Sequence, residues 1–199
     1  MHKINTTGKL FIIAAPSGSG KTSVSVGVVN LLKDLLQIER VITFTTRKPR
    51  INEIPGKDYH FISVEQFLEL KKRGLFLEST EYNGNFYASS SSIVTELKNG
   101  KSFIMVADVA GAKNLKNNII PSAITIWITV KNLEILKNRL EQRKTDSADV
   151  VEDRLKMAES EIKKENAENF FQYHVLNDNL DNTIQTIASI IKKELGFKH

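Results

Sequence analysis

Short apolar segments alternate along the chain with longer segments in which apolar residues recur every three or four positions. Short apolar runs bounded by polar turns predict buried strands, and the longer spacing predicts helices with one apolar face. The predicted strands lie at 10–15, 41–45, 102–107, 123–129 and 172–177. The predicted helices lie at about 21–36, 91–99, from 133 onwards, 150–168 and about 180–195. This alternation predicts an α/β fold, with a parallel sheet flanked by helices.

The segment from about 43 to 90 interrupts the alternation. A strand at 59–62 precedes Ser63 and Gln66, which have the S-x-x-Q spacing of a capping box at a helix start. Gly74 then predicts the end of that helix. The pattern here indicates short strands around one helix, which differs from the strand–helix repeat on either side.

Two further strands, at 76–82 and 85–88, complete this segment. They meet at Asn83-Gly84, a dipeptide typical of tight hairpins. We therefore interpret the segment as a small mixed α/β insert. The predicted organisation is a single domain, 1–199, with its core at 1–42 and 91–199 and the insert at about 43–90.

Composition excludes several classes of protein. The 199 residues contain no cysteine, which excludes disulfides, thiol catalysis and cysteine-bound zinc. No apolar run approaches the roughly 18 residues that a membrane helix needs, and the polar N-terminus lacks the apolar stretch of a signal peptide. We therefore expect a cytoplasmic protein that makes no membrane contact.

The formal charge of +5 leaves the partner open. A basic balance is compatible with nucleic acid, an acidic membrane, phosphorylated small molecules or a merely solvated basic surface. Lysines and arginines are spread along the chain without a long basic block. The positions of particular arginines must therefore decide among these partners.

A phosphate-binding loop is predicted where the first strand meets the first helix. Residues 15–22 read A-P-S-G-S-G-K-T. Gly18 and Gly20 allow backbone N–H groups to turn towards phosphates, and the helix N-terminus adds partial positive charge. Lys21 can reach phosphate oxygens and the Thr22 hydroxyl can bind Mg²⁺. The pattern has glycine at its first position, where this chain has Ala15.

Asp108 directly follows the predicted strand at 102–107. In phosphate-loop enzymes an acid at a strand end often holds the metal shell, whereas an isolated aspartate after a strand is commonly a helix cap or a turn residue. The phosphate loop favours the first interpretation, with Mg²⁺ held by Thr22 and Asp108.

Three further motifs identify a family resemblance. T-T-R-K-P-R at 45–50, G-K-D-Y at 56–59 and G-N-F-Y at 84–87 resemble the motifs of guanylate kinases, and the resemblance runs from about 9 to 195. It implies a phosphate-loop core with a GMP-binding insert and a lid. It also implies transfer of the γ-phosphoryl group of ATP to GMP, and to dGMP, with Mg²⁺ and without a general base.

The resemblance assigns a role to each matching position. It implies that the GMP phosphate is bound by Arg47, Arg50, Tyr59 and Tyr87. It implies that the guanine edge is recognised by Thr43 and Glu78. Further GMP-site positions fall on Glu53, Ser89 and Asp108. Arginines bind phosphate oxygens bidentately, and a carboxylate can accept from guanine N1–H and N2–H₂, so the residue types suit these roles.

The donor nucleotide and the lid are assigned in the same way. The resemblance implies that ATP is bound by Ala15, Pro16, Ser17, Gly18, Ser19, Gly20, Lys21, Thr22, Ser23 and Asn177. The implied lid, at about 139–154, carries Arg139, Arg143 and Arg154, which join Lys21 and Arg47 as catalytic residues. Lys144, Val106 and Ala110 depart from the family pattern, which has glycine, an acid and glutamine at these positions.

Other functions remain as alternatives. A non-catalytic module that binds phosphorylated peptides typically lacks the phosphate-loop lysine, whereas Lys21 is present here. A kinase for another phosphorylated acceptor, such as a ribose bisphosphate, is disfavoured by the guanine-reading residues, although Val106 leaves room for it. A GTPase is disfavoured because those residues lie in the acceptor insert. We expect ATP and GMP as partners, with no nucleic acid and no obligate protein partner.

Overall fold

The computed structural model describes residues 7–51, 53–82, 84–142 and 147–197. Its strands are β1 (Leu10–Ala14), β2 (Ile38–Arg40), β3 (Thr43–Thr45), β4 (Tyr59–Phe61), β5 (Phe76–Tyr82), β6 (Asn85–Ser90), β7 (Ser102–Val106), β8 (Ile124–Thr129) and β9 (Tyr173–Leu176). Its helices are α1 (Lys21–Leu32), α2 (Val64–Lys72), α3 (Ser92–Lys98), α4 (Val109–Asn114), α5 (Leu133–Gln142), α6 (Ala148–Glu168) and α7 (Leu180–Glu194). A π-helical turn, Leu115–Ile119, continues α4.

The first sheet is parallel throughout, in the order β2-β7-β1-β8-β9. Every residue of β1 is buried, as its continuous apolar sequence requires of a strand with helices on both faces. Val28 of α1 and Ile187 of α7 belong to the core on one face. Met105 and Trp127 belong to the core on the other. These features confirm the predicted fold class.

The register of this sheet brings two loops together. Ile13 of β1 pairs with Val106 of β7, and the Ala107 N–H donates to the Ile13 carbonyl at 3.1 Å. The loop after β1 and Asp108 after β7 therefore leave the sheet side by side. In open parallel sheets ligands bind in the crevice at such carboxyl ends, where neighbouring connections diverge.

The second sheet has the order β4-β3-β6-β5 and is built from residues between 43 and 90. Strands β3 and β4 are parallel, and the other pairs are antiparallel. The α2 helix closes one face, with the Phe67 ring 4.8 Å from Phe76 and 5.3 Å from Phe86. A β-bulge interrupts the pairing of β5 with β6 between Phe76 and Glu78.

Two local predictions for this segment, the capping box and the hairpin, are confirmed. The Gln66 N–H donates to the Ser63 Oγ at 3.2 Å, and the Ser63 N–H donates to the Gln66 Oε1 at 2.9 Å, which completes the predicted capping box. The hairpin is also present, since Tyr82 pairs with Asn85, although Asn83 lies outside the described residues.

Two element boundaries were wrong. The predicted strand at 41–45 corresponds to β3 alone, which begins at Thr43 and lies in the second sheet. The strand at the edge of the first sheet, β2, precedes this range and was not predicted. Edge strand β2 has only three residues and a single buried apolar side chain, so it lacks an apolar run. The α1 helix ends at Leu32 rather than near 36, since the chain turns there to enter β2. The division into core, insert and lid stays a prediction.

Within the described ranges, no helix combines the length and apolar character that crossing a membrane requires.

Candidate active site

One cleft separates the two sheets, and both contribute to its walls. The phosphate loop contributes Ala15 and every residue from Ser17 to Ser23. The second sheet and its loops contribute Thr43, Arg47, Arg50, Tyr59, Glu78 and Tyr87. The cleft is also lined by Val106, Asp108 and Arg154.

The loop has the backbone geometry that phosphate binding requires. Gly18 and Gly20 have φ values of +85° and +86°, which side chains other than glycine rarely adopt. Among the described residues other than glycine, only Asn169 has a positive φ, so Ala15 does not strain the backbone at the position where the motif has glycine. The Lys21 ammonium donates to the carbonyls of Ala15, at 2.5 Å, and Pro16, at 3.3 Å.

Asn177 and Arg139 support the loop from behind and do not line the cleft. The buried Asn177 amide donates to the Ser19 carbonyl at 2.7 Å and accepts from Thr183 at 3.1 Å. Arg139 donates to the Asn177 carbonyl at 3.1 Å. Contact of these two residues with nucleotide stays a prediction, and their observed contacts position the loop.

Asp108 and Thr22 present oxygen ligands to the same cleft. Asp108 caps α4, with Oδ1 accepting from the Gly111 N–H at 2.6 Å, so both interpretations of this aspartate remain compatible with the structure. The Thr22 side chain is exposed in the first turn of α1. A carboxylate and a hydroxyl suit Mg²⁺, which usually keeps several waters and binds nucleotide phosphates. Across the described residues, no three His, Cys, Asp or Glu side chains gather into a metal cluster.

Glu53 orients part of the predicted phosphate clamp, which is the set of residues assigned to the GMP phosphate: Arg47, Arg50, Tyr59 and Tyr87. Its carboxylate accepts from the Arg47 guanidinium at 2.8 and 3.0 Å and from the Arg50 N–H at 2.7 Å. Burial alone would raise the pKa of Glu53, but these hydrogen bonds hold the pKa below its usual value. The Arg47 guanidinium also lies 5.3 Å from the centre of the Tyr59 ring. Glu53 itself is outside the cleft lining, so its visible role is to fix Arg47.

Glu78 is a half-buried carboxylate of the cleft. Its Oε1 accepts from the Ser89 hydroxyl at 3.1 Å, and Ser89 is buried behind it. Burial raises the pKa of Glu78 to about 7, and the negative charge of Asp108 adds to the effect. Gly111 lies between the two acids, since a Cβ there would be 3.3 Å from Asp108 and 3.8 Å from Glu78.

Besides Val106, six residues that line the cleft were not predicted as site residues: Thr80, Tyr82, Asn85, Ala107, Gly111 and Glu161. Thr80 and Tyr82 alternate with Glu78 along β5, so strand periodicity could have found them. Glu161 lies two helical turns after Arg154 and faces the same way. One Glu161 oxygen, Oε2, is buried without a hydrogen-bond partner, and burial raises the pKa of this carboxyl.

Part of the predicted lid cannot be placed. Arg143 and Lys144 lie outside the described residues, so their predicted roles stay predictions. Arg154, from the first turns of α6, does line the cleft. Pro16 is next to the lining residues but does not belong to them.

This arrangement can hold two phosphorylated ligands end to end, one on a glycine-rich loop and one on arginines of a separate sheet. It defines a phosphate-loop kinase for a phosphorylated small molecule. The family model described as guanylate kinase matches residues 7–194, and the chain belongs to the guanylate kinase family.

Individual relatives agree with this assignment. The chain is 36% identical over 190 residues to a guanylate kinase of Nitrosospira multiformis, covering 95% of this chain and 87% of that one. It is 39% identical over 186 residues to a guanylate kinase of Nitrosomonas europaea, covering 93% and 89%. A crystal structure of guanylate kinase from Anaplasma phagocytophilum matches with a TM-score of 0.76 at 28% identity, covering 96% and 87%.

Proposed function

We propose that this protein transfers the γ-phosphoryl group of ATP to GMP or dGMP, giving ADP and GDP or dGDP. The observation that carries the proposal is one cleft that joins a phosphate loop to a half-buried carboxylate, Glu78, across a set of arginines and tyrosines. The loop suits any nucleoside triphosphate, whereas Glu78 provides the discrimination between purines.

The donor side works through backbone and charge. Loop N–H groups and the N-terminus of α1 bind the ATP phosphates. Lys21 exchanges its loop carbonyls for phosphate oxygens, which removes repulsion between the two anionic substrates. Asn177 and Arg139 keep the loop in place during this exchange.

The acceptor side works through side chains. Arg47, Arg50, Tyr59 and Tyr87 bind the GMP phosphate, with Arg47 already oriented by Glu53. The ionised Glu78 carboxylate accepts from guanine N1–H and N2–H₂. Adenine offers no such pair of donors on that edge, so an adenine would leave a half-buried carboxylate without its partners.

Mg²⁺ fits this site, and when bound with ATP it neutralises charge on the β- and γ-phosphates. Thr22 and Asp108 are the residues that would hold it, directly or through water. Val106 lines the cleft where the family pattern has an acid, so Asp108 is the carboxylate that follows β7.

Phosphoryl transfer to GMP needs no general base, because the attacking phosphate oxygen is already ionised at neutral pH. The protein's contribution is to align two anions and to exclude water. We propose that the insert at about 43–90 and the lid at about 139–154 close over the substrates, with Arg139, Arg143 and Arg154 acting from the lid. We further propose a cytoplasmic enzyme that acts on free nucleotides without nucleic acid or an obligate protein partner.

A coupled assay with Mg·ATP tests the proposal. We expect turnover of GMP and dGMP and little turnover of AMP, CMP, UMP or a ribose bisphosphate. A preference for any of these other acceptors would contradict the proposal, and binding of GMP without turnover would favour a non-catalytic module. The Lys163→Met variant is a matched control for lysine substitutions, because Lys163 pairs with Glu159 on the exposed side of α6.

A further inference from the structure

Strand β5 places three alternate side chains in the cleft: Glu78, Thr80 and Tyr82. A strand rises about 3.4 Å per residue, so Glu78 and Tyr82 lie about 14 Å apart along this face. Thr80 pairs with Tyr87, which marks the level of the predicted phosphate clamp. Tyr82 is one step further from the guanine-reading end than that clamp.

The surroundings of the Tyr82 hydroxyl come from the opposite wall of the cleft. Ser17 of the phosphate loop lines the same cleft and is close enough to interact with it. The charged groups near it are Glu161 and Arg154 of α6 and Asp108 after β7. A side chain from the acceptor sheet thus reaches the donor loop, and its hydroxyl lies between the two phosphate-binding regions.

This inference rests on the proposed function. We propose that Tyr82 is a catalytic residue whose hydroxyl leaves Ser17 and donates a hydrogen bond to the phosphoryl group while that group passes from ATP to GMP. The position follows from the order of the cleft, in which the group must travel from the loop towards the level of Tyr87.

The step balances without proton transfer to or from the protein. The bond between the γ-phosphorus and the β–γ bridging oxygen breaks, its electron pair stays on ADP, and a GMP phosphate oxygen forms the new bond. The Tyr82 phenol keeps its proton throughout. Burial and the neighbouring Glu161 raise the pKa of Tyr82 to about 12, so the hydroxyl remains a donor at every pH at which the enzyme would work.

A competing explanation is that the hydroxyl only ties β5 to the phosphate loop through Ser17. The two roles differ in their dependence on Ser17. If Tyr82 acts only through its contact with Ser17, removing the serine hydroxyl removes the effect of Tyr82→Phe on kcat. If Tyr82 donates to the transferring phosphoryl group, Tyr82→Phe lowers kcat with or without that hydroxyl. A double-mutant cycle therefore separates them.

The test measures kcat and KM for ATP and GMP on the full chain carrying Tyr82→Phe, Ser17→Ala or both. A lost hydrogen bond to a charged group predicts a roughly 10- to 100-fold lower kcat for Tyr82→Phe, with KM for GMP within about threefold. The same ratio is expected in the Ser17→Ala background. The control is Tyr173→Phe, which removes a hydroxyl that donates to Glu194 on another surface, and wild-type kcat is expected. Melting temperatures verify folding.

Four outcomes overturn the inference. A Tyr82→Phe enzyme with wild-type kcat, or one that changes KM alone, removes the hydroxyl from the transfer step. A kcat effect that disappears in the Ser17→Ala background assigns it to the loop instead. A wild-type protein without GMP kinase activity overturns the proposed function and this role together, whereas an active wild type with an equally active Tyr82→Phe overturns this role alone.

Discussion

The two walls of the cleft are built on opposite principles. The donor wall continues from β1, whose residues are all buried, and presents backbone N–H groups and the glycines at 18 and 20. The acceptor wall comes from the second sheet and its loops. No residue of its strand β5 is fully buried, and the side chains of this wall are held by a hydrogen bond from Ser89 and by the Arg47–Glu53 pair. A backbone cradle accepts any polyphosphate, whereas side chains can distinguish one base from another. Catalysis therefore depends most on the donor wall, and selectivity for the base depends on the acceptor wall.

The largest expected effect comes from the donor wall. Lys21→Met should lower kcat by roughly 100-fold or more, because a charge contact strengthened in the transition state is worth about 3 kcal/mol. The fold should survive, since Lys21 lies at the cleft surface. Kinetics with saturating Mg·ATP and GMP, beside Lys163→Met, measure the effect. Near wild-type turnover in Lys21→Met would contradict the kinase mechanism.

Glu78→Gln should give the largest effect on the acceptor wall. We expect kcat/KM for GMP to fall roughly 30- to 100-fold, since a charge-assisted pair of hydrogen bonds becomes a neutral amide with one mismatched group. Turnover of AMP should not fall and should rise, because the variant no longer has a carboxylate that adenine leaves without partners. Equal losses for both acceptors would contradict a role in reading guanine.

The same variant should be more stable than the wild type at pH 8. The folded-state pKa of Glu78, about 7, exceeds the unfolded value of 4.5, so the folded state binds more protons between these values. Stability from this group is present below pH 4.5 and is lost as the pH rises through 7, to a total of about 3 kcal/mol. Thermal melts of nucleotide-free protein at pH 5 and 8 measure the difference. A less stable Gln variant at pH 8 would contradict a penalised, half-buried charge.

GMP binding should depend on pH through the same carboxyl. Raising the pH from 6 to 8 ionises Glu78, so KM for GMP should fall by up to roughly tenfold, given a pKa of about 7. The second ionisation of the GMP phosphate, near pH 6, also contributes. Glu78→Gln is therefore the control, and it should remove the component centred near 7. A profile that is identical in both proteins would refute the assignment.

The smallest effect should come from Glu53→Gln, which weakens the orientation of Arg47 without touching the substrate. We expect KM for GMP to rise roughly threefold to tenfold, with a smaller change in kcat, because one charged hydrogen-bond acceptor is replaced. Arg47→Lys should have a larger effect than Glu53→Gln, since lysine cannot make the bidentate contact with the GMP phosphate. A KM unchanged in Glu53→Gln would show that the clamp organises itself only when GMP binds.

Sequence patterns captured the features that depend on neighbouring residues. The phosphate loop, the Ser63 capping box and the hairpin before Asn85 are each determined by a few consecutive side chains. Strand β2 was missed because an edge strand with one buried residue has no apolar run.

The residues missed in the cleft depend on contacts between distant segments. Tyr82 is an ordinary strand residue until β5 is brought against the loop that carries Ser17, 65 positions earlier. Glu161 resembles any acid on a charged helix, and only the fold buries it. No local pattern carries either fact, so they emerge only from tertiary structure.

The bulge between Phe76 and Glu78 has a consequence for how this gene can change. Successive residues of a strand point to opposite faces, so the bulge sets which set of alternate residues faces the nucleotide. Deleting one codon between 79 and 81 would shift Tyr82 to the outer face while Glu78 remained in place. A substitution in β5 alters one contact at a time. A single-codon insertion or deletion, in contrast, would leave Glu78 in the cleft while it removed Tyr82 from the cleft. We expect natural variation in this hairpin to occur by replacement and not by change of length.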